Sequence, residues 1–156
     1  LKDDVLGVVG FDGYGEKARV SARLDELEVK DWVFEEPMND VDKWQAFVSS
    51  DLFIHPSDSE NFGISIAEAL YASLPVITTK GAPWQELNER RCGWCIDIGV
   101  EPLVKALKSA MSLSDAERHE MGRRGHELVL EKYTWDVIGR DMAKAYEGVL
   151  KKIKKF

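Results

Sequence analysis

The sequence predicts an α/β fold in which a parallel sheet is flanked by helices and followed by an all-helical C-terminal tail. Three observations predict it. Short apolar, β-branched runs alternate with helical patterns between residues 5 and 98 on short links, the pattern of parallel strands covered by their crossover helices. Beyond residue 99 only helical periodicity continues. The chain has 156 residues, 44% of them hydrophobic and 10% aromatic, which is enough for a packed core and excludes a disordered or fibrous chain.

The elements follow in order. Val5, Leu6, Val8 and Val9 predict a strand that runs into the turn-rich loop Gly10-Phe11-Asp12-Gly13-Tyr14-Gly15. No third glycine follows Gly13 and Gly15 at the spacing of G-x-G-x-x-G, so this is read as a plain connecting loop. Ala18, Val20, Leu24 and Leu27 share a helical face over residues 16–27, and Trp32, Val33 and Phe34 predict a second strand. A turn at 37–40 precedes a helix carried by Val41, Trp44, Ala46, Phe47 and Val48, with Asp40 expected as its cap. Asp40-Val41-Asp42 has the spacing of a D-x-D metal pair, but two acids at a helix start already have a reason in the helix dipole. Residues 52–55 predict the third strand, 63–72 a helix, 75–79 a β-branched strand, 83–87 a helical turn and 94–98 a last strand. Helices are expected at 101–111, 115–132 and 135–152, with Ser114 and Glu117 forming a capping box and Thr134 capping the last. No repeat or low-complexity linker divides the chain, so residues 1–156 are expected to be a single domain.

A net charge of −7 with 21 basic residues argues against nucleic acid as a partner, because phosphate-backbone binding needs a concentrated positive field. The basic cluster Lys151, Lys152, Lys154 and Lys155 reads as a solvated helix end, with peripheral contact to an anionic membrane as the alternative. No apolar run approaches a membrane-spanning length and no secretion signal opens the chain, so a cytoplasmic location is expected, extending to the inner face of the membrane. The chain starts at Leu1 inside a charged segment without Met, so it reads as a fragment. Cys92 and Cys95 form C-G-W-C, but the strand pattern Ile96-Asp97-Ile98 follows where a redox pair would start a helix; they are read as structural cysteines.

The chemistry concentrates in residues 51–68. In an open parallel sheet, ligands gather beyond the carboxyl ends of the strands, where loops lead into helix N-termini. Gly63 lets the backbone approach a ligand closely, and the amides of Gly63, Ile64 and Ser65 carry the partial positive charge of the helix start, which stabilises a phosphate without a lysine. Glu68 lies four residues after Ile64 on the same face and about 7 Å along the axis from Gly63. That spacing suits a ribose whose diol hydrogen-bonds one carboxylate. Glu60 would face the other side of the same phosphate. A solvated loop acid and a solvated helix acid remain the alternative reading of the two carboxylates. A retaining glycosidase pair is disfavoured, since it needs carboxyls about 5 Å apart.

The run Glu60-Asn61-Phe62-Gly63-Ile64-Ser65-Ile66-Ala67-Glu68-Ala69-Leu70, followed by Leu74-Pro75-Val76-Ile77-Thr78-Thr79, closely resembles the E-x7-E signature of the retaining glycosyltransferases of family four, once called group one. The likeness continues through Gly81-Ala82-Pro83-Trp84-Gln85-Glu86-Leu87, Cys92-Gly93-Trp94, Met121-Gly122-Arg123-Arg124-Gly125 and Tyr133-Thr134-Trp135. The resemblance implies a Rossmann-like fold, the C-terminal, nucleotide-sugar-binding half of a two-part GT-B enzyme whose N-terminal acceptor half is absent here.

It also implies roles. Glu60 is the candidate catalytic residue, contacting hydroxyls of the donor sugar. Glu68 holds the nucleotide ribose, the backbone of Phe62, Gly63 and Ile64 binds the sugar and diphosphate, and the strand at Val33 and Phe34 holds the base. No metal and no cofactor are implied beyond the nucleotide-diphospho-sugar donor, and the acceptor is a glycan or lipid. Two positions depart from the family pattern: Glu35 stands where many members have Gly, and Ser73 replaces a common Gly before Leu74-Pro75. The family's basic partners of the diphosphate lie on an earlier unit, so the fragment alone is expected to bind donor weakly and to be inactive. A non-catalytic nucleotide-sugar-binding or scaffold protein is the alternative function. The last helix is expected to leave an apolar face around Trp135, Ile138, Met142 and Tyr146 unpartnered, open to self-association.

Overall fold

The structure, a computed structural model, describes residues 5–10 and 12–153, with side chains as far as Lys151. Phe11 and the Lys152, Lys154 and Lys155 side chains of the basic tail, on which the membrane-contact expectation rests, lie outside the described residues. The chain packs as two compact units, Leu1–Ala46 and Phe47–Phe156.

In the first unit β1 (Leu6–Val9) and β2 (Trp32–Glu35) pair in parallel, Leu6 opposite Trp32 and Val9 opposite Glu35, joined by α1 (Glu16–Glu26). None of its described residues is fully buried. α2 (Asp40–Val48) begins here. Asp40 is not its cap. The side chain of Asn39 accepts from the Asp42 N–H at 3.0 Å and its carbonyl accepts from the Lys43 N–H at 2.9 Å, so the cap lies one residue earlier. Asn and Asp are near-equivalent caps, so composition alone could not choose between neighbours.

The second unit holds a three-stranded parallel sheet of β3 (Phe53–His55), β4 (Val76–Thr79) and β5 (Gly93–Ile96), with β4 in the centre. Phe53 and Gly93 flank Val76 in register. All four residues of β4 are buried, as expected of a central parallel strand covered on both faces. α5 (Val100–Met111) packs Ala106 and Ala110 on Ile77, with Leu52, Ile54, Trp94 and Leu103 closing the cluster.

α3 (Ile64–Tyr71), the short α4 (Glu86–Glu89), α6 (Asp115–Lys132) and α7 (Trp135–Ile153) complete this unit. Gly122 and Gly125 let α6 approach α3 closely: a Cβ on Gly122 would meet the Ser73 carbonyl oxygen at 1.8 Å, and one on Gly125 would meet Leu70 at 2.7 Å. Ser73 holds a left-handed φ of 64° just past α3, where its N–H bonds the Leu70 carbonyl and that of Leu74 bonds Ala69. This conformation explains why glycine suits the position.

The expected capping box of α6 is present, with Ser114 and Glu117 bonded reciprocally, and Thr134 Oγ1 accepts from the Val137 N–H at the start of α7. On α7, Trp135 is 88% and Tyr146 63% exposed, Met142 is exposed and Ile138 is half-buried, so the apolar face is uncovered as expected. Both cysteines are free and buried, and burial pushes the Cys92 thiol up to about 11, which suppresses the reactive thiolate.

Candidate functional site

The loop from β3 to α3 is latched by one neighbouring segment, residues 78–84. The Thr78 hydroxyl donates to the His55 carbonyl at 2.8 Å, and the Thr79 hydroxyl donates to that of Ser57. The Glu60 N–H bonds the Gly81 carbonyl at 2.9 Å. A Cβ on Gly81 would fall 2.5 Å from the Asp58 carbonyl oxygen, so the backbones meet at a distance only glycine permits. Further along, the indole N–H of Trp84 donates to the Phe62 carbonyl. The loop is therefore set by β4 and the segment leading from it to α4, at the carboxyl edge of the sheet.

Gly63, at φ 82°, ends the loop and stands as the N-cap of α3 without any side-chain cap. The amides of Gly63, Ile64 and Ser65 thus open the helix with its partial positive charge unmet by a capping side chain. Ile64 is 69% exposed, so solvent reaches this helix start. One oxygen of Glu60 accepts from the Asn61 N–H at 3.0 Å, and the other lies 3.4 Å from Nε2 of His55. That ring nitrogen is buried and has no hydrogen-bond partner among the described residues. Such an arrangement can take up a hydroxyl-bearing ligand at the carboxylate and an anion at the helix start.

The structure brings Glu60, Phe62, Gly63 and Ile64 into one loop-to-helix junction and places Glu68, half-buried, one turn into α3. Val33 and Phe34 lie on β2 in the first unit, where the Lys17 ammonium sits 4.7 Å over the Phe34 ring.

Sequence reasoning missed three contributors. His55 was marked only by its place at the end of a parallel strand. Trp84 and Tyr133 stood inside the family-like segments without an assigned part. With Phe62 they form a ring cluster, Phe62 to Trp84 at 5.3 Å, Phe62 to Tyr133 at 5.5 Å and Trp84 to Tyr133 at 5.0 Å. The Tyr133 hydroxyl donates to Glu86, whose other oxygen pairs with Lys132. Burial pushes the Glu86 carboxyl up, but the hydrogen bonds from Lys132 and Tyr133 and the charges of Lys132 and Arg90 outweigh it and hold the group below the usual carboxylate range.

Among the described residues no group of three or more His, Cys, Asp or Glu side chains could hold a metal, and no helix is long and apolar enough to cross a membrane.

Residues 3–128 match the family model described as glycosyl transferases group 1. The chain belongs to that family. As a group 1 glycosyl transferase chain it is 33% identical over 106 residues to the GDP-mannose-dependent alpha-mannosyltransferase of Mycolicibacterium smegmatis, covering 67% of this chain and 28% of that one. It is 31% identical over 96 residues to the sulfoquinovosyl transferase of Arabidopsis thaliana, covering 58% and 18%. The chain therefore spans less than a third of the length of either relative.

Solved structures share the fold. A glycosyltransferase from Rickettsia africae superposes with a TM-score of 0.81 at 19% identity, over 95% of this chain and 41% of that one. Anabaena HepE in complex with UDP and glucose gives 0.77 at 20%, over 92% and 40%. The C-terminal domain of a group 1 family protein from Francisella tularensis gives 0.54 at 19%, over 83% and 87%. The likeness agrees with the expected GT-B glycosyltransferase fold.

Proposed function

We propose that this chain is the donor-binding domain of a retaining glycosyltransferase, one that moves a sugar from a nucleotide diphosphate to a glycan or lipid acceptor held by an N-terminal half outside this chain. The observation that carries the reading is the junction at Gly63. There a latched loop delivers Glu60 and the uncapped amides of an α-helix to one edge of a parallel sheet, with Glu68 one turn beyond. The diphosphate is met by the amides of Gly63, Ile64 and Ser65, whose dipole offsets its charge as it leaves. Glu60, turned by its bond to the Asn61 N–H and lying beside His55, orients the donor sugar. Glu68 accepts from the ribose diol.

Membership in the group 1 family supports the reaction class. The GDP-mannose dependence of one relative and the UDP complex of one structural neighbour support a nucleoside diphosphate as the anion. The family likeness supports chemistry without a metal or cofactor. The test is a thermal-shift panel of UDP-, GDP- and ADP-sugars on the full-length protein. A donor at a hundredfold over its Kd stabilises the folded state by about 2.7 kcal/mol, and the donor that does so is then tested for sugar transfer. Binding without transfer to any glycan or lipid acceptor would favour a non-catalytic nucleotide-sugar-binding protein, and no shift with any donor would contradict the assignment.

A further inference from the structure

We propose that Trp84 is a positioning residue for donor binding: its indole N–H holds the Phe62 carbonyl and so turns the Gly63 amide toward the donor diphosphate. This rests on the donor-site reading above.

The carbonyl of Phe62 and the N–H of Gly63 belong to one peptide group. That group is planar and trans, so its C=O and N–H point in opposite directions. The Trp84 side chain is fully buried, and its indole N–H takes the Phe62 oxygen from the protein interior. With the carbonyl held by the Trp84 indole, the N–H of the buried Gly63 points the opposite way, where it meets no acceptor among the described residues. A hydrogen bond at a carbonyl also polarises its peptide and strengthens the N–H as a donor. Gly63 needs this constraint more than any other residue would. At φ 82° the absence of a Cβ that makes the conformation accessible also leaves the peptide free to rotate.

The indole is itself fixed. The Phe62 and Tyr133 rings both pack against it and against each other, and the Tyr133 hydroxyl is tied through Glu86 to Lys132. Three segments distant in sequence, the donor loop, the stretch before α4 and the end of α6, thereby converge on the orientation of one peptide plane. A buried indole N–H needs a partner in any case, so a purely structural role makes a different forecast from a positioning one.

The test replaces Trp84 in the full-length protein with 3-benzothienylalanine, which keeps the ring shape and puts sulfur where the N–H was. UDP and GDP are titrated by calorimetry, and the Gly63 amide is followed by 1H–15N NMR. The expected result is affinity for the bound nucleoside diphosphate lower by about tenfold, as for loss of one hydrogen bond to a charged group, with a smaller Gly63 amide shift on binding than in the wild type. Unchanged affinity overturns the role. So does lower affinity with the Gly63 amide moving as in the wild type, which would assign the bond to the core alone. A wild type that binds neither nucleotide refutes the donor-site reading itself.

If the replacement does not fold, Trp84→Phe, which keeps an aromatic ring and removes the N–H, takes its place in the same titration, and the same two readouts, nucleotide affinity and the Gly63 amide shift, support or overturn the role.

Discussion

Gly122→Ala tests how α6 holds α3, the helix that carries the proposed donor site. A Cβ at 122 would lie 1.8 Å from the Ser73 carbonyl oxygen and 2.6 Å from its carbon, both backbone atoms that cannot swing aside. A carbon needs about 3.3 Å from a carbonyl oxygen, so the two helices must part by about 1.5 Å. Overpacking of this kind costs about 1–3 kcal/mol. The parting also forfeits a quarter to a half of the dispersion energy of the contacts it opens, on the order of 1 kcal/mol more. Alanine returns about 1 kcal/mol in helix propensity, leaving a net loss of about 1–3 kcal/mol. For a chain of this size that lowers Tm by about 2–12 °C. Urea denaturation followed by far-UV circular dichroism measures it. Gly148→Ala is the control: nothing lies within 4 Å of its Cβ position on α7, so it should gain about 0.5–1 kcal/mol. If Gly122→Ala is as stable as the wild type to within about 0.5 kcal/mol, the close packing of α3 on α6 is wrong.

Ser73→Gly relieves a left-handed residue behind α3 and should stabilise by roughly 0.5–1 kcal/mol net of the added chain entropy; a loss in the same denaturation experiment contradicts the strain. Glu86 titrates below its ordinary value in the folded protein, so its contribution is fully present above the unfolded pKa near 4.5 and is lost as pH falls through the lower folded value. Glu86→Gln should therefore cost about 1–2 kcal/mol at pH 7 and flatten the loss of stability below pH 4.5; an unchanged acid limb would show that the bonds to Lys132 and Tyr133 do not form. Cys92→Ser, at a fully buried thiol, should destabilise by about 1–3 kcal/mol through burial of an unpaired hydroxyl. Folded Cys92→Ser protein should retain nucleotide binding, whereas loss of binding in that folded variant would revive a reactive role.

Much of the second unit was legible because its signals are local. The β-branched run Val76-Ile77-Thr78-Thr79 reads as a buried strand and is one, and the pairing of Ser114 with Glu117 announced the start of α6 three residues apart. The E-x7-E likeness pointed to the group 1 family, and the match of residues 3–128 to that family bears this out. The features that escaped were non-local or lay between equivalent choices. The bond from Trp84 to Phe62 spans 22 residues, and that from Tyr133 to Glu86 spans 47; no periodicity encodes either. Asn39 and Asp40 compete for one cap with the same chemistry. The boundary between the two compact units falls at Ala46 and Phe47, inside α2, where an uninterrupted helical pattern hides it.

The proposed site requires that α3 open onto a nucleoside diphosphate and carry a ribose-binding carboxylate one turn on. Calorimetric titration of nucleotide sugars into the full-length protein and its Glu68→Ala variant tests both parts at once. The wild type is expected to bind a UDP-, GDP- or ADP-sugar, and Glu68→Ala to weaken that binding by about tenfold or more, because a diol loses its charged acceptor. Undiminished affinity in Glu68→Ala, or no nucleotide sugar bound by the wild type, would contradict the donor site.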